Sequence, residues 1–247
     1  MKKIMFVAQI KLIMESIEKF VRHFKHQMEL VDSIGQTGIY KTHKKILYVA
    51  FIDVLSGVVY PKKNNRDRFV ETILNFGGWD HVERVSLPTL ANFLKMNPDP
   101  NFTELMVRVS DLIGQWSLAD HITLDRDPEF SSLESYWPES KNREKKKRNL
   151  KCFQHGQLLY DARNFLVHGF RLPADVFDMP EDNDLEPYYL SCLGPYAEIP
   201  SQDRWCWALI YPILFLKRLS ERILNNVEIH FKKEKIDPIE IIVSEKH

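Results

Sequence analysis

Apolar side chains at Ile10, Ile13, Ile17, Phe20, Val21, Phe24, Met28 and Val31 recur three and four positions apart. That spacing lays a single stripe along an α-helix and predicts one over residues 4–33, ended by Gly35 and Gly38. A second helix is predicted from about Thr42 to Tyr60, where ILYVAFIDVLSGVVY is apolar on nearly every side, as a central helix is, until Pro61 stops it. NRDRFVETILNFG predicts a third over 65–77, with Gly77 and Gly78 as its stop. Ser86 with Pro88 opens a short helix through Lys95, and Thr103 stands ahead of another that continues to about Ser117.

Periodicity then fails. Residues 120–140 hold clusters of Asp, Pro and Ser and predict a long irregular connection. Beyond it one helix is expected from about Lys141 to His168, with Gly169 as its C-cap and Pro173 shortly after. Residues 170–202, rich in Asp, Pro and Gly, read as an insertion in which YYLSCL forms a strand or hairpin near 186–199. A last long helix is expected from Asp203 to about Asn226, kinked or broken at Pro212, and the closing EKIDPIEIIVSEKH as a short strand or frayed tail. The sum is an all-α chain: a bundle of six to seven helices with at most a minor strand or hairpin, in one domain over 1–247, without internal repeats.

Composition changes this picture little. With 44% hydrophobic and 12% aromatic residues the 247-residue chain can bury a core. Its 34 basic residues balance 34 acidic ones, so net charge argues for neither nucleic acid nor membrane. Cys152, Cys192 and Cys206 are an odd number without close repeated spacing, which fits a reduced, cytoplasmic protein better than a disulfide scaffold. MKKIMFVAQIKLIM mimics a signal peptide, but Gln9 and Lys11 interrupt it and no small-residue cleavage site follows, so it reads as the start of the first helix. No apolar window is long enough to span a bilayer, and a soluble protein is expected. A phosphate-binding lysine loop, a dinucleotide glycine fingerprint and a nucleophile elbow are all missing, which leaves ATP-driven and hydride-transfer chemistry without support.

The segment that asks for chemistry is YDARNFLVHGF, residues 160–170. Tyr160, Ala162, Phe165, Leu166 and Val167 would carry it into a core, yet it holds Arg163, Asn164 and His168. Asn164 and His168 share a helix face, while Arg163 and His168 differ by about 140° around the axis, a gap arginine's reach can close. A forked guanidinium suits the oxygens of a phosphate, and an imidazole near neutrality can move the proton of a ribose hydroxyl or a leaving oxygen. In the last helical turn His168 would gain about 0.3–1 kcal/mol as a cation from the helix dipole.

RNFLVH resembles the R-x4-H form of the motif of the HEPN superfamily, including the polar residue after the arginine, and it lies late in a helical chain as in that family. The resemblance implies a HEPN-like helical bundle that homodimerises, bringing two motifs into one cleft. It further implies a metal-independent endoribonuclease without cofactor, in which the ribose 2′ hydroxyl attacks and a 2′,3′ cyclic phosphate is left. Arg163, Asn164 and His168 become the site residues, RNA the substrate, and an antitoxin or regulatory protein the partner of a defence or toxin effector. Other members are silent modules for dimerisation or RNA or nucleotide binding. Some toxin relatives carry a tyrosine two places after the histidine; here Phe170 stands there, so modification at that position does not transfer.

Plainer readings stand beside these. Arg163 can pair with Asp161 and His168 can cap its own helix, as in an ordinary helical interaction protein. The run 141–151 holds seven Lys or Arg against Glu144 alone and suits RNA phosphates. On a continuous helix, however, Lys147 would stand about 30 Å from His168. Asp53 is a candidate acidic partner, or simply bonded within its helix. His23 with His26, and Cys152 with His155, have spacings a metal accepts but no complete ligand set. Trp205, Trp207, Tyr211 and Phe215 read as core or dimer contacts rather than base-stacking platforms.

Overall fold

The computed structural model describes residues 2–35, 39–117, 121–138, 149–169, 176–177, 184–193 and 205–244. Among them lie nine α-helices: α1 (Lys2–Ser33), α2 (Ile39–Val59), α3 (Asn65–Phe76), α4 (Leu87–Met96), α5 (Thr103–Ile113), α6 (Phe130–Glu134), α7 (His155–Gly169), α8 (Ile213–Glu234) and α9 (Pro238–Ser244). Four strands accompany them: β1 (Ile122–Thr123), β2 (Val176–Phe177), β3 (Tyr188–Leu193) and β4 (Trp205–Ile210). The mostly helical character expected from periodicity is therefore present, with a small sheet. The chain divides into two compact units, Met1–Trp79 with Leu216–His247, and Asp80–Phe215.

In the first unit the stripe on α1 is the one its spacing predicts: Ile17, Phe20, Val21, Phe24, Met28 and Val31 are buried. Its Phe20 ring meets Phe231 of α8 at 6.1 Å between centroids. Helix α2 buries Tyr48, Val49, Ile52, Leu55 and Val58. Asn64 caps α3 by accepting a hydrogen bond from the Asp67 amide at 3.0 Å. At its other end Gly77 leaves no room for a side chain, since a Cβ there would stand 2.5 Å from the Ile73 carbonyl oxygen and 2.8 Å from Leu219 Cδ1. Asn226 donates to the Phe76 carbonyl at 2.8 Å, and Arg222 to that of Gly78 at 3.2 Å, so α8 ties off the end of α3 with polar contacts as well.

The second unit has its own core. Val85, Leu87, Leu90, Leu94, Leu105, Val109, Leu133, Leu150 and Phe153 form one buried cluster, sheathed by Phe93, Phe102, Trp116 and Trp137. The sheet runs in the order β1-β3-β4-β2. β3 pairs antiparallel with both β1 and β4, while β2 pairs parallel with β4.

Several expectations are corrected. Residues 205–210, read as helix, form β4, and α8 begins only after Pro212, whose missing N–H and fixed φ suit the helix entry. The helix expected over 141–168 is shorter: Leu150–Phe153 is a 3-10 turn, and α7 begins at His155. Residues 141–148, most of the basic run, lie outside the described residues, as does much of the 170–202 insertion. The irregular connection near 120–140 contains β1, a 3-10 turn at Leu124–Arg126 and α6. The expected tail or strand at the C-terminus is α9, capped by Asp237, whose Oδ1 accepts from the Ile239 amide at 2.9 Å and from the Ser16 hydroxyl. No helix of the described residues is long and apolar enough to cross a membrane.

Candidate functional site

Helix α7 belongs wholly to the second unit. It buries His155, Leu159, Ala162 and Leu166, spaced four, three and four apart, along one stripe. At about 100° per residue, Asn164 and His168 fall on the side away from that stripe and Arg163 on its flank. Arg163 and Asn164 are accordingly half-buried, and His168 is exposed in the last turn.

The beginning of α7 is held firmly. A helix starts with backbone N–H groups that lack intrahelical acceptors; here those of His155 and Gly156 donate to the carbonyls of Arg84 and Val82, at 3.0 and 2.9 Å. Gln154 adds a side-chain bond to the Glu83 carbonyl at 3.0 Å. The segment ahead of α4 thus docks against the entry of α7.

Beneath this entry lies a polar cluster that sequence reasoning missed. Ser86, Asp127, His155 and Tyr189 are each at most 1% exposed. Asp127 Oδ2 lies 2.7 Å from His155 Nε2 and accepts from the Tyr189 hydroxyl at 2.7 Å, while Oδ1 accepts from the Leu87 amide at 3.0 Å. The Tyr189 oxygen is also 2.8 Å from Ser86 Oγ, which is 3.0 Å from the Thr89 hydroxyl. A phenol has one proton and a carboxylate only accepts, so when Tyr189 gives its proton to Asp127 its oxygen accepts from the Ser86 hydroxyl. Burial, together with the Asp127 charge, pushes the Tyr189 hydroxyl well above its ordinary value and keeps it neutral.

Although serine, histidine and aspartate meet here, the arrangement differs from a nucleophilic triad. The phenol rather than the imidazole adjoins the serine, and Nε2 is taken by the carboxylate. Closed from solvent, the cluster ties together the starts of α4 and α7, the turn before α6, and β3. Its members are scattered along the chain, and Ser86 as a helix cap was the lone signal available in sequence.

The motif itself sits at the far end of α7. Arg163 Nη1 donates to Asn164 Oδ1 at 2.8 Å, and its guanidinium lies 5.8 Å from the Tyr160 ring centroid. The arginine and the amide predicted from sequence are thus brought together. His168 is exposed in the last turn, at the helix's negative end. Asp53 lies in the first unit. Among the described residues no group of three or more His, Cys, Asp or Glu side chains is placed to hold a metal ion. His155 is engaged with Asp127, and the Cys152 thiol with Asn149 at 3.6 Å, so that sequence pair points to two separate partners. Trp207 is half-buried in the second unit, its ring 5.2 Å from that of Trp116.

No family model, no curated protein and no solved structure matches this chain.

Proposed function

We propose that the protein is a HEPN-like, metal-independent endoribonuclease that works as a homodimer, an effector of a defence or toxin system held in check by an antitoxin or regulatory protein. The observation carrying this reading is the end of α7, where a guanidinium oriented by its neighbouring amide is followed five residues later by an exposed imidazole. Arg163 binds the scissile phosphate and offsets charge on the phosphorane. As the ribose 2′ hydroxyl attacks, its proton passes to water, and the His168 imidazole delivers a proton to the leaving 5′ oxygen. Asn164 holds the guanidinium. Phe165, 40% exposed on the same helix, offers an apolar contact to a second subunit.

Labelled RNA incubated with the purified chain in EDTA tests the reading. Cleavage to 2′,3′ cyclic phosphate ends is expected, with His168→Ala lowering the rate by about 10²–10⁴-fold and Arg163→Ala by about 10²–10³-fold. Wild-type inactivity across varied RNAs, or cleavage indifferent to both substitutions, refutes it. The half-burial of Arg163 and its bond to Asn164 favour a second reading, a silent HEPN module that dimerises or binds RNA or nucleotide without cutting. RNA retention and a dimeric mass without product support that alternative.

A further inference from the structure

The antiparallel register of β3 and β4 sets Cys192 directly opposite Cys206. Along the chain these cysteines look unrelated. We propose that they form a dithiol site, oxidised by peroxide to an intramolecular disulfide that staples the β3–β4 hairpin near its connection.

Three observations carry this. Directly opposed residues of antiparallel strands have Cα atoms about 4.5 or 5.5 Å apart, within the span of about 4.4–6.8 Å that a disulfide bridges. The pairing that sets them opposite each other is continuous, following Tyr188↔Ile210 and Leu190↔Ala208 at two-residue steps along both strands. The third cysteine is elsewhere: Cys152 lies in the 3-10 turn before α7, half-exposed and bonded to Asn149. The odd cysteine count thus resolves into one opposed pair and one separate thiol.

The chemistry balances with peroxide as oxidant. One thiolate attacks a peroxide oxygen, breaking the O–O bond to give a sulfenic acid and hydroxide, which takes up a proton to become water. The opposed thiol then attacks that sulfur and expels a second water. Two thiols and one hydrogen peroxide become one disulfide and two waters.

To test this, the full chain is treated with hydrogen peroxide, quenched, denatured, alkylated with N-ethylmaleimide and weighed. The reduced chain takes an adduct on each of its three cysteines. After oxidation a monomer is expected that is lighter by two hydrogens before alkylation and takes one adduct, on Cys152. Peptide mapping should show a Cys192–Cys206 link that dithiothreitol reverses. Cys152→Ser keeps the link, whereas Cys192→Ser and Cys206→Ser each abolish it. Oxidation in urea, where the register is lost, should scramble the pairing. A link through Cys152 or between chains, three adducts after oxidation, or an identical pairing pattern in urea overturns the proposal. The wild-type mapping decides the matter even if a serine variant fails to fold.

Discussion

Asp127 is a buried carboxylate that accepts from an amide and a phenol and pairs with an imidazole, and nearly all of its bonding capacity is used. Removing one donor leaves an acceptor stranded away from water, so Tyr189→Phe should cost about 1–3 kcal/mol. Asp127→Ala, which strands His155, Tyr189 and the Leu87 amide together, should cost about 3–5 kcal/mol. Urea denaturation of both variants checks the order; a Tyr189→Phe protein as stable as wild type would mean that the phenol proton does not satisfy Asp127. At the other end of the helix Asn164→Ala releases Arg163 Nη1 from its orienting acceptor. On the ribonuclease reading, single-turnover cleavage should slow by about 10-fold or more, since small misplacements of a positioned group are costly, while the midpoint of unfolding barely moves. Arg163, Asn164 and His168 stand out in sequence because polar residues interrupt an apolar run, and the first two are in contact in the structure. The Asp127 cluster was not: its four side chains come from four separate segments, and no local spacing records that they meet.

At the level of elements, a clean stripe is the reliable signal: α1 buries six of the eight residues its spacing marks, with Ile10 and Ile13 half-buried. The errors fall where the stripe is lost. WCWALI is apolar or small throughout, so periodicity cannot separate a buried strand from a buried helix; six residues ended by a proline-containing break fit a strand better. In α9 the signals are present, with Asp237 as cap, Pro238 at the first position and Glu240 in the first turn, but so short a segment equally suits the short strand or frayed tail expected there. Close packing between elements is also invisible along the chain. Gly77 shows this, since nothing but the approach of Leu219 and the Ile73 carbonyl explains why a side chain is excluded. Gly77→Ala should destabilise by about 1–3 kcal/mol through overpacking, and Leu219→Ala in the same chain should relieve part of that cost. Thermal midpoints of the single and double variants measure the coupling, and additive losses would show that the two positions do not compete for space.

Across the whole molecule, charge pairs give stability a pH dependence, and the clearest lies in the first unit. Burial pushes Asp32 up, but hydrogen bonds from Lys217 and Tyr48, with the charges of Lys217 and Lys44, outweigh it and hold the carboxyl below its ordinary 3.8. The bond to Asp32 is the main influence raising Lys217 above 10.5. Burial and the same carboxylate raise Tyr48 above 10.0. A depressed carboxyl contributes fully above its unfolded value and loses that contribution as pH falls below about 3.8. The raised lysine and phenol contribute fully below their unfolded values and lose it as pH climbs past about 10. Asp32→Asn should therefore lower stability by about 1 kcal/mol between these limits, with the gap from wild type closing at both ends. Denaturant midpoints across pH would show this; a constant gap would place the effect outside the ionised network. The division into units has a consequence of another kind. The first unit is made of the first 79 residues and the last 32, with the second unit inserted between them in the chain. On the ribosome, the buried faces of α1, α2 and α3 are synthesised long before the Leu219, Ile223 and Phe231 that complete their core. The second unit can close as soon as its own residues emerge, so the half translated first is the half that finishes folding last.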